Sequence, residues 1–158
     1  PFEIMAAKVW ANGFVVLICT GLSLRFVVQG ALGVPIAGSA PLFLFGAMLH
    51  LFSTTSMGIL MATVARSMPQ FGLLMILVIL PLQMLSGGIT PRESMPEIVQ
   101  TIMLAAPTTH FTSLAQAILY RGAGMDVVWP QFAAIIGIGA VFFAGALLRF
   151  RASLAAER

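Results

Sequence analysis

Charge is scarce in this sequence. Of 158 residues, 8 are Lys or Arg and 5 are Asp or Glu, so 8% are charged, against roughly 25% in a soluble domain. So few charges do not cover a water-facing surface. Hydrophobic residues make up 59%, and mean hydropathy is +1.03. A disordered chain and a soluble enzyme are excluded on these figures. The net charge of +3 does not rescue a nucleic-acid reading, because the eight basic residues are scattered and build no patch. Cysteine occurs once, at Cys19 inside an apolar stretch, so no intrachain disulfide forms and the residue reads as a small apolar one. Lysine also occurs once, at Lys8, with no glycine-rich loop before it. A phosphate-binding loop needs backbone amides and a lysine to hold the phosphates, so this chain does not hydrolyse ATP. No Asp or Glu falls at the centre of an apolar run, which argues against proton- or sodium-coupled transport. The chain opens at Pro1 rather than at a methionine and is read as part of a longer protein.

What is present is a series of charge-free runs: 9–24, 26–65, 67–91, 98–120 and 127–148. A hydrocarbon core of roughly 30 Å takes about 20 helical residues. The expected crossings are residues 9–28, with Arg25 snorkelling at one end, then 42–64, 71–86 and 131–148. Gly30, Gly33, Pro35, Gly38 and Pro41 mark a turn-rich loop between the first two. Pro81 lies within the third, and Gly87 and Gly88 end it. The first stretch does not read as a cleaved signal peptide, since a basic start is missing and Leu24, Arg25 and Phe26 replace a small-residue cleavage site.

Run 98–120 is long enough to cross but is interrupted by Pro107, Thr108, Thr109 and His110. Ser94 and Glu97 have capping-box spacing ahead of it, the threonines can cap a second helix, and Gly122 can stop that helix. The segment 94–121 is therefore expected to be a re-entrant hairpin of two short helices. Charge supports this, because Lys and Arg accumulate in cytoplasmic loops. Four crossings place Lys8, Arg66, Arg149, Arg151 and Arg158 inside, against Arg92 and Arg121 outside. A fifth crossing would move three arginines out. Trp10 then sits at the inner interface, and Tyr120 and Trp129 at the outer one. The fold class is an all-α membrane protein.

His50, Ser53 and Thr54 share one face of the second crossing. One reading is a histidine-assisted hydroxyl nucleophile of an intramembrane hydrolase; the other is polar adhesion between helices. No nearby carboxylate orients the histidine, which favours adhesion. Thr54, Gly58 and Ala62, and Ala133, Gly137, Ala140 and Ala144, have the spacing of close helix packing. His110 reads as a local cap or loop contact, since the two histidines and one cysteine stand at distant positions and a metal takes three or four ligands.

Longer stretches carry a family likeness. Residues 84–97 (MLSGGITPRESMPE), 107–111 (PTTHF) and 114–122 (LAQAILYRG) resemble ABC-2 type transporter permeases of the bacterial drug-exporter branch. So do residues 65–70 (ARSMPQ) and 1–8 (PFEIMAAK). The resemblance covers the whole chain and implies the C-terminal part of a six-crossing permease in the inner membrane. It further implies a permease homodimer or heterodimer working with a separate ABC ATPase subunit, with ATP on that partner and no cofactor on this chain. By the same resemblance residues 1–8 are a cytoplasmic interface segment, with Phe2 and Ile4 for an ATPase groove and Glu3 and Lys8 at its rim. The third crossing and the hairpin would form the outer gate, with Met75, Pro81, Leu82, Gln83, Gly87, Gly88, Pro107 and Thr108 as candidates. The alternatives are the hydrolase built on His50 and Ser53, and a structural membrane anchor.

The charge asymmetry predicts that both ends face the cytoplasm. A single cysteine at Ser153, in a Cys19-free background, is expected to resist impermeant maleimide added to intact cells. Labelling from outside would overturn the topology.

Overall fold

An apolar run this long has one local solution, because a helix satisfies its own backbone donors and acceptors. The computed structural model describes residues 2–156, apart from the side chains of Phe2, Met5, Ala6, Lys8, Val9 and residues 153–156. The described residues form α1 (Phe2–Leu22), α2 (Ala40–Val64), α3 (Met68–Leu85), α4 (Glu97–Met103), α5 (Pro107–Arg121) and α6 (Met125–Ala156). A π-helical stretch, Ser23–Ala31, prolongs α1, and a short 3₁₀ turn, Arg92–Ser94, precedes α4. Four stretches are long and apolar enough to cross a membrane: Trp10–Ala31, Ala40–Val64, Met68–Leu85 and Met125–Ala152.

The count of four agrees with the charge-free runs, while the helix starts move outward for local reasons. Ser39 caps α2 by accepting from the Leu42 amide at 3.4 Å, so the helix starts before residue 42. Ser67 caps α3 by accepting from the Gln70 amide, and Gln70 Oε1 reaches back to the Arg66 amide at 2.8 Å. The pair departs from a capping box in that the returning bond goes to Arg66, one residue before the N-cap. The box expected at Ser94 and Glu97 does not form. The Ser94 hydroxyl donates to Pro91 O instead, and Pro96 occupies the N-cap of α4 with no side-chain bond. At the other end of the chain, α6 begins at Met125 rather than at Gln131 and carries Pro130 inside its early turns.

The break inside run 98–120 is real and falls at residues 104–106. Pro107 is not the breaker but the opening residue of α5, where a missing N–H costs nothing. The N-cap is Ala106, and the threonines make no cap. Gly122 ends α5 in the left-handed conformation (φ 65°), as expected of it.

The core is shared by α2, α5 and α6, with Phe43, Leu114, Ile118, Val128, Phe132 and Ile135 buried together and Leu24 joining from the π-helical stretch. α5 runs antiparallel to α2. The Ala37 amide donates to Leu119 O at 3.0 Å, Gly46 faces Leu114, and Phe111 stacks on His50 at 4.4 Å. α6 runs parallel to α2, with Phe132 stacked on Phe45, Gly139 against Phe52 and Ser53, and Gly145 near Leu60. The packing face of α6 is thus Phe132, Ile135, Gly139 and Ala146. The face expected from spacing, Ala133, Gly137, Ala140 and Ala144, is exposed. Small residues line two sides of α6, and periodicity does not choose between them. α3 has no buried residue, and none of the described side chains of α1 is buried either.

Two glycines separate packing from propensity. A Cβ at Gly38 would overlap the Ile118 carbonyl, whereas a Cβ at Gly58 would meet nothing within 4 Å. In the full-length protein, Gly38→Ala is expected to cost about 1–3 kcal/mol. Gly58→Ala should stay within about 1 kcal/mol, on the stabilising side. Thermal unfolding in detergent checks the pair, and equal melting temperatures would contradict this packing.

Candidate functional site

Because α3 stands away from the core, it leaves a groove against α2. The groove has a volume of about 580 Å³, within the roughly 300–1,000 Å³ of small-molecule sites. Phe71, Met75, Ile79 and Leu82 form the α3 wall. Their spacing of 4, 4 and 3 residues is one helical stripe. Thr54, Gly58 and Ala62 lie on the α2 wall. Thr108 contributes from the first turn of α5, and Asn12 from α1.

This corrects the reading of the Thr54, Gly58 and Ala62 face. Those small residues do not bring two helices together; they line the groove. Nor do the hydroxyls of α2 bind neighbouring helices. Thr54 Oγ1 donates to His50 O at 2.9 Å and Ser56 Oγ to Phe52 O at 2.7 Å, each within its own helix. A hydroxyl in an apolar setting finds the nearest carbonyl one turn back. The hydrolase arrangement does not form either. His50 lies flat on Phe111, with ring planes 9° apart. Its Nδ1 and the Ser53 hydroxyl are both closed to solvent without a hydrogen-bond partner, so the two side chains do not bond each other. Ser53 is fully buried beside Gly139.

Of the gate candidates, Met75, Leu82, Gln83 and Thr108 line the groove. Pro81 is exposed on another face of α3, and Pro107 is buried at the start of α5. Gly87 and Gly88 stand at the end of α3 beside α5. Gly87 adopts φ +95°, and its carbonyl accepts from Gln116 Nε2 at 3.4 Å. A Cβ on Gly88 would lie 3.5 Å from Thr112 Cγ2. The corner therefore meets Thr112 and Gln116, a turn or more along α5 from Thr108. Of the coupling candidates, Glu3 and Ile4 are exposed on the first turn of α1, while the side chains of Phe2 and Lys8 lie outside the described residues.

His110 performs the local role expected of it. Its Nε2 donates to Leu104 O at 2.8 Å, across the break between α4 and α5. The amides of Leu104, Ala105 and Ala106 turn back to Thr101, Ile102 and Met103 carbonyls. Every backbone donor of the break is thereby satisfied. Among the described residues no group of three His, Cys, Asp or Glu gathers to hold a metal.

Asn12, Thr55, Phe71 and Ile79 line the groove without having been singled out in the sequence. The signal was the stripe at 71, 75, 79 and 82, which reads equally well as a lipid-facing or a packing face.

Known proteins share this sequence pattern. The ABC-2 type transporter family model matches residues 1–120. The inner membrane transport permease YhhJ of Escherichia coli (strain K12) is 68% identical over 154 residues, 98% of this chain and 41% of that protein. The probable multidrug ABC transporter permease YbhR of the same organism is 29% identical over 118 residues, covering 75% of this chain and 32% of that protein. The probable multidrug ABC transporter permease YbhS, also from that strain, is 33% identical over 117 residues, 72% of this chain and 30% of that protein. The chain spans well under half the length of these relatives. No solved structure matches.

Proposed function

The chain belongs to the ABC-2 type transporter family, and from that premise we propose that it is the pathway-forming part of an exporter's permease subunit in the bacterial inner membrane. The observation that carries this reading is the groove: a drug-sized apolar space between two membrane-length helices, one of them without a buried residue. In this reading an ABC ATPase subunit, implied by the family, supplies the energy; these 158 residues hold no phosphate-binding loop. Two permease subunits, identical or related, complete the transporter. A purely structural anchor would have no use for such a groove.

In this reading α4 and α5 dip into the membrane from the outer side and return. The register of α5 supports it. Phe111 stacks on His50, ten residues into α2 from Ala40, which is about 15 Å at 1.5 Å per residue. The satisfied backbone of the break is what that depth demands. The Gly87 and Gly88 corner then hinges α3 against α5 at the outer mouth, with Pro81 weakening the helix just before it. At the other end, α1 runs without a break from Phe2 through Leu22. A push on residues 1–8 by the ATPase subunit is carried into the membrane by a continuous helix.

Full-length protein reconstituted with its ATPase subunit is expected to show ATP-dependent export, abolished when the catalytic site of the ATPase is disabled. Cysteines replacing Gly88 and Thr112 in a Cys19-free background should crosslink, stop export while leaving ATP binding intact, and recover with reductant. Free export through a fully crosslinked pair would refute the hinge. Phe2→Ala should uncouple ATP hydrolysis from export with no loss of thermal stability; unchanged ATPase stimulation and export would remove residues 1–8 from the coupling role.

A further inference from the structure

The groove between α2 and α3 has a closed end and an open side. At the closed end the two helices are joined by Ala65, Arg66 and Ser67. Ala62 and Phe71, which line the groove, each stand about one helical turn from that connection. The side is open, since Asn12, Ala62 and Gln83 line the groove and remain exposed. From Phe71 to Leu82 the α3 wall is about 16 Å long at 1.5 Å per residue. That is close to one leaflet of a hydrocarbon core of roughly 30 Å.

The closed end is positively charged. Arg66 is exposed, and Gln70 holds its backbone amide. Among the described residues no ion pair or hydrogen bond engages its guanidinium. α6 brings more positive charge to the same level. It runs parallel to α2 with Gly145 near Leu60, so Arg149 and Arg151, both exposed, come level with the end of α2. On α1, Lys8 precedes Asn12 of the groove by about one turn. Among the described residues Glu3, on the first turn of α1, is the carboxylate at this end.

An apolar groove that opens sideways into a bilayer is filled by the bilayer, because a void forfeits dispersion contacts along its whole wall. The nearest filler is an acyl chain. A chain entering along α3 brings its head group to the closed end, beside the free guanidinium of Arg66. There a negative phosphate gains charge-assisted hydrogen bonds and the attraction of the surrounding arginines.

We propose that this groove seats one anionic phospholipid of the leaflet at the Arg66 end, with an acyl chain along Phe71, Met75, Ile79 and Leu82 and the phosphate at Arg66. Charge asymmetry makes that the cytoplasmic leaflet. The inference goes beyond the export reading, since seating a lipid needs neither ATP nor transport.

The test uses full-length protein in phosphatidylcholine nanodiscs. These carry a trace of either phosphatidylglycerol or phosphatidylcholine with a photoreactive diazirine in one acyl chain. Mass spectrometry then maps the labelled residues. The phosphatidylglycerol probe is expected to label Met75 and Ile79 about fivefold more than the phosphatidylcholine probe does. Leu73 and Leu77, exposed on another face of the same helix, should be labelled equally by both. Arg66→Gln should remove the excess at Met75 and Ile79, and Arg66→Lys should keep it. Gly58→Leu places a side chain in open space on the α2 wall and should block labelling of the groove by both probes. Unaltered labelling of Leu73 and Leu77 shows that each variant is folded. Equal enrichment on both faces of α3, an excess that survives Arg66→Gln, or a groove labelled by neither probe would overturn the proposal. The two readings fail separately: lipid seating without ATP-driven export removes the exporter alone, and export without lipid preference removes the lipid seat alone.

Discussion

The backbone must satisfy its own hydrogen bonds wherever water is absent, and most features of this chain follow from that requirement. It makes every apolar run helical. It turns the hydroxyls of Thr54, Ser56 and Thr63 back onto carbonyls of their own helix. It also decides how a helix can be broken. At residues 104–106 the amides close onto carbonyls three residues back, and the remaining Leu104 carbonyl takes a bond from His110. The histidine expected to make a local contact is thus spent on one backbone oxygen.

Packing is distributed unevenly across the molecule. α2, α5 and α6 approach closely where glycine removes a side chain, at Gly46 against Leu114 and at Gly139 against Ser53. There the interior is filled, and a single added methyl group is felt. α3 has no buried residue. Its outer end is tied to α5 by the bond between Gln116 and the Gly87 carbonyl. A filled three-helix block thus stands beside a helix with no buried residue.

Among the described residues the groove between α2 and α3 is lined by apolar and neutral polar side chains. The residues that would have formed a catalytic pair are held apart by packing: His50 by its stack on Phe111, and Ser53 by its burial at Gly139.

Composition and the length of the charge-free runs determined the class, the four membrane-length helices and the interruption before α5, because the bilayer thickness and the self-satisfaction of a helix are local constraints. The stop at Gly122 was equally local. Phase and partnership were not. The helical period allows small residues on two sides of α6, and only contact with α2 selected Gly139 and Ala146 over Gly137 and Ala140. The Thr54, Gly58 and Ala62 stripe looked like a packing surface, and only the position of α3 made it a wall of the groove. The serine cap lay at Ser67 rather than Ser94, because the Ser94 hydroxyl is held by the Pro91 carbonyl in a 3₁₀ turn. Which groups share a space depends on contacts between residues far apart in the chain, and periodicity along one helix carries no record of them.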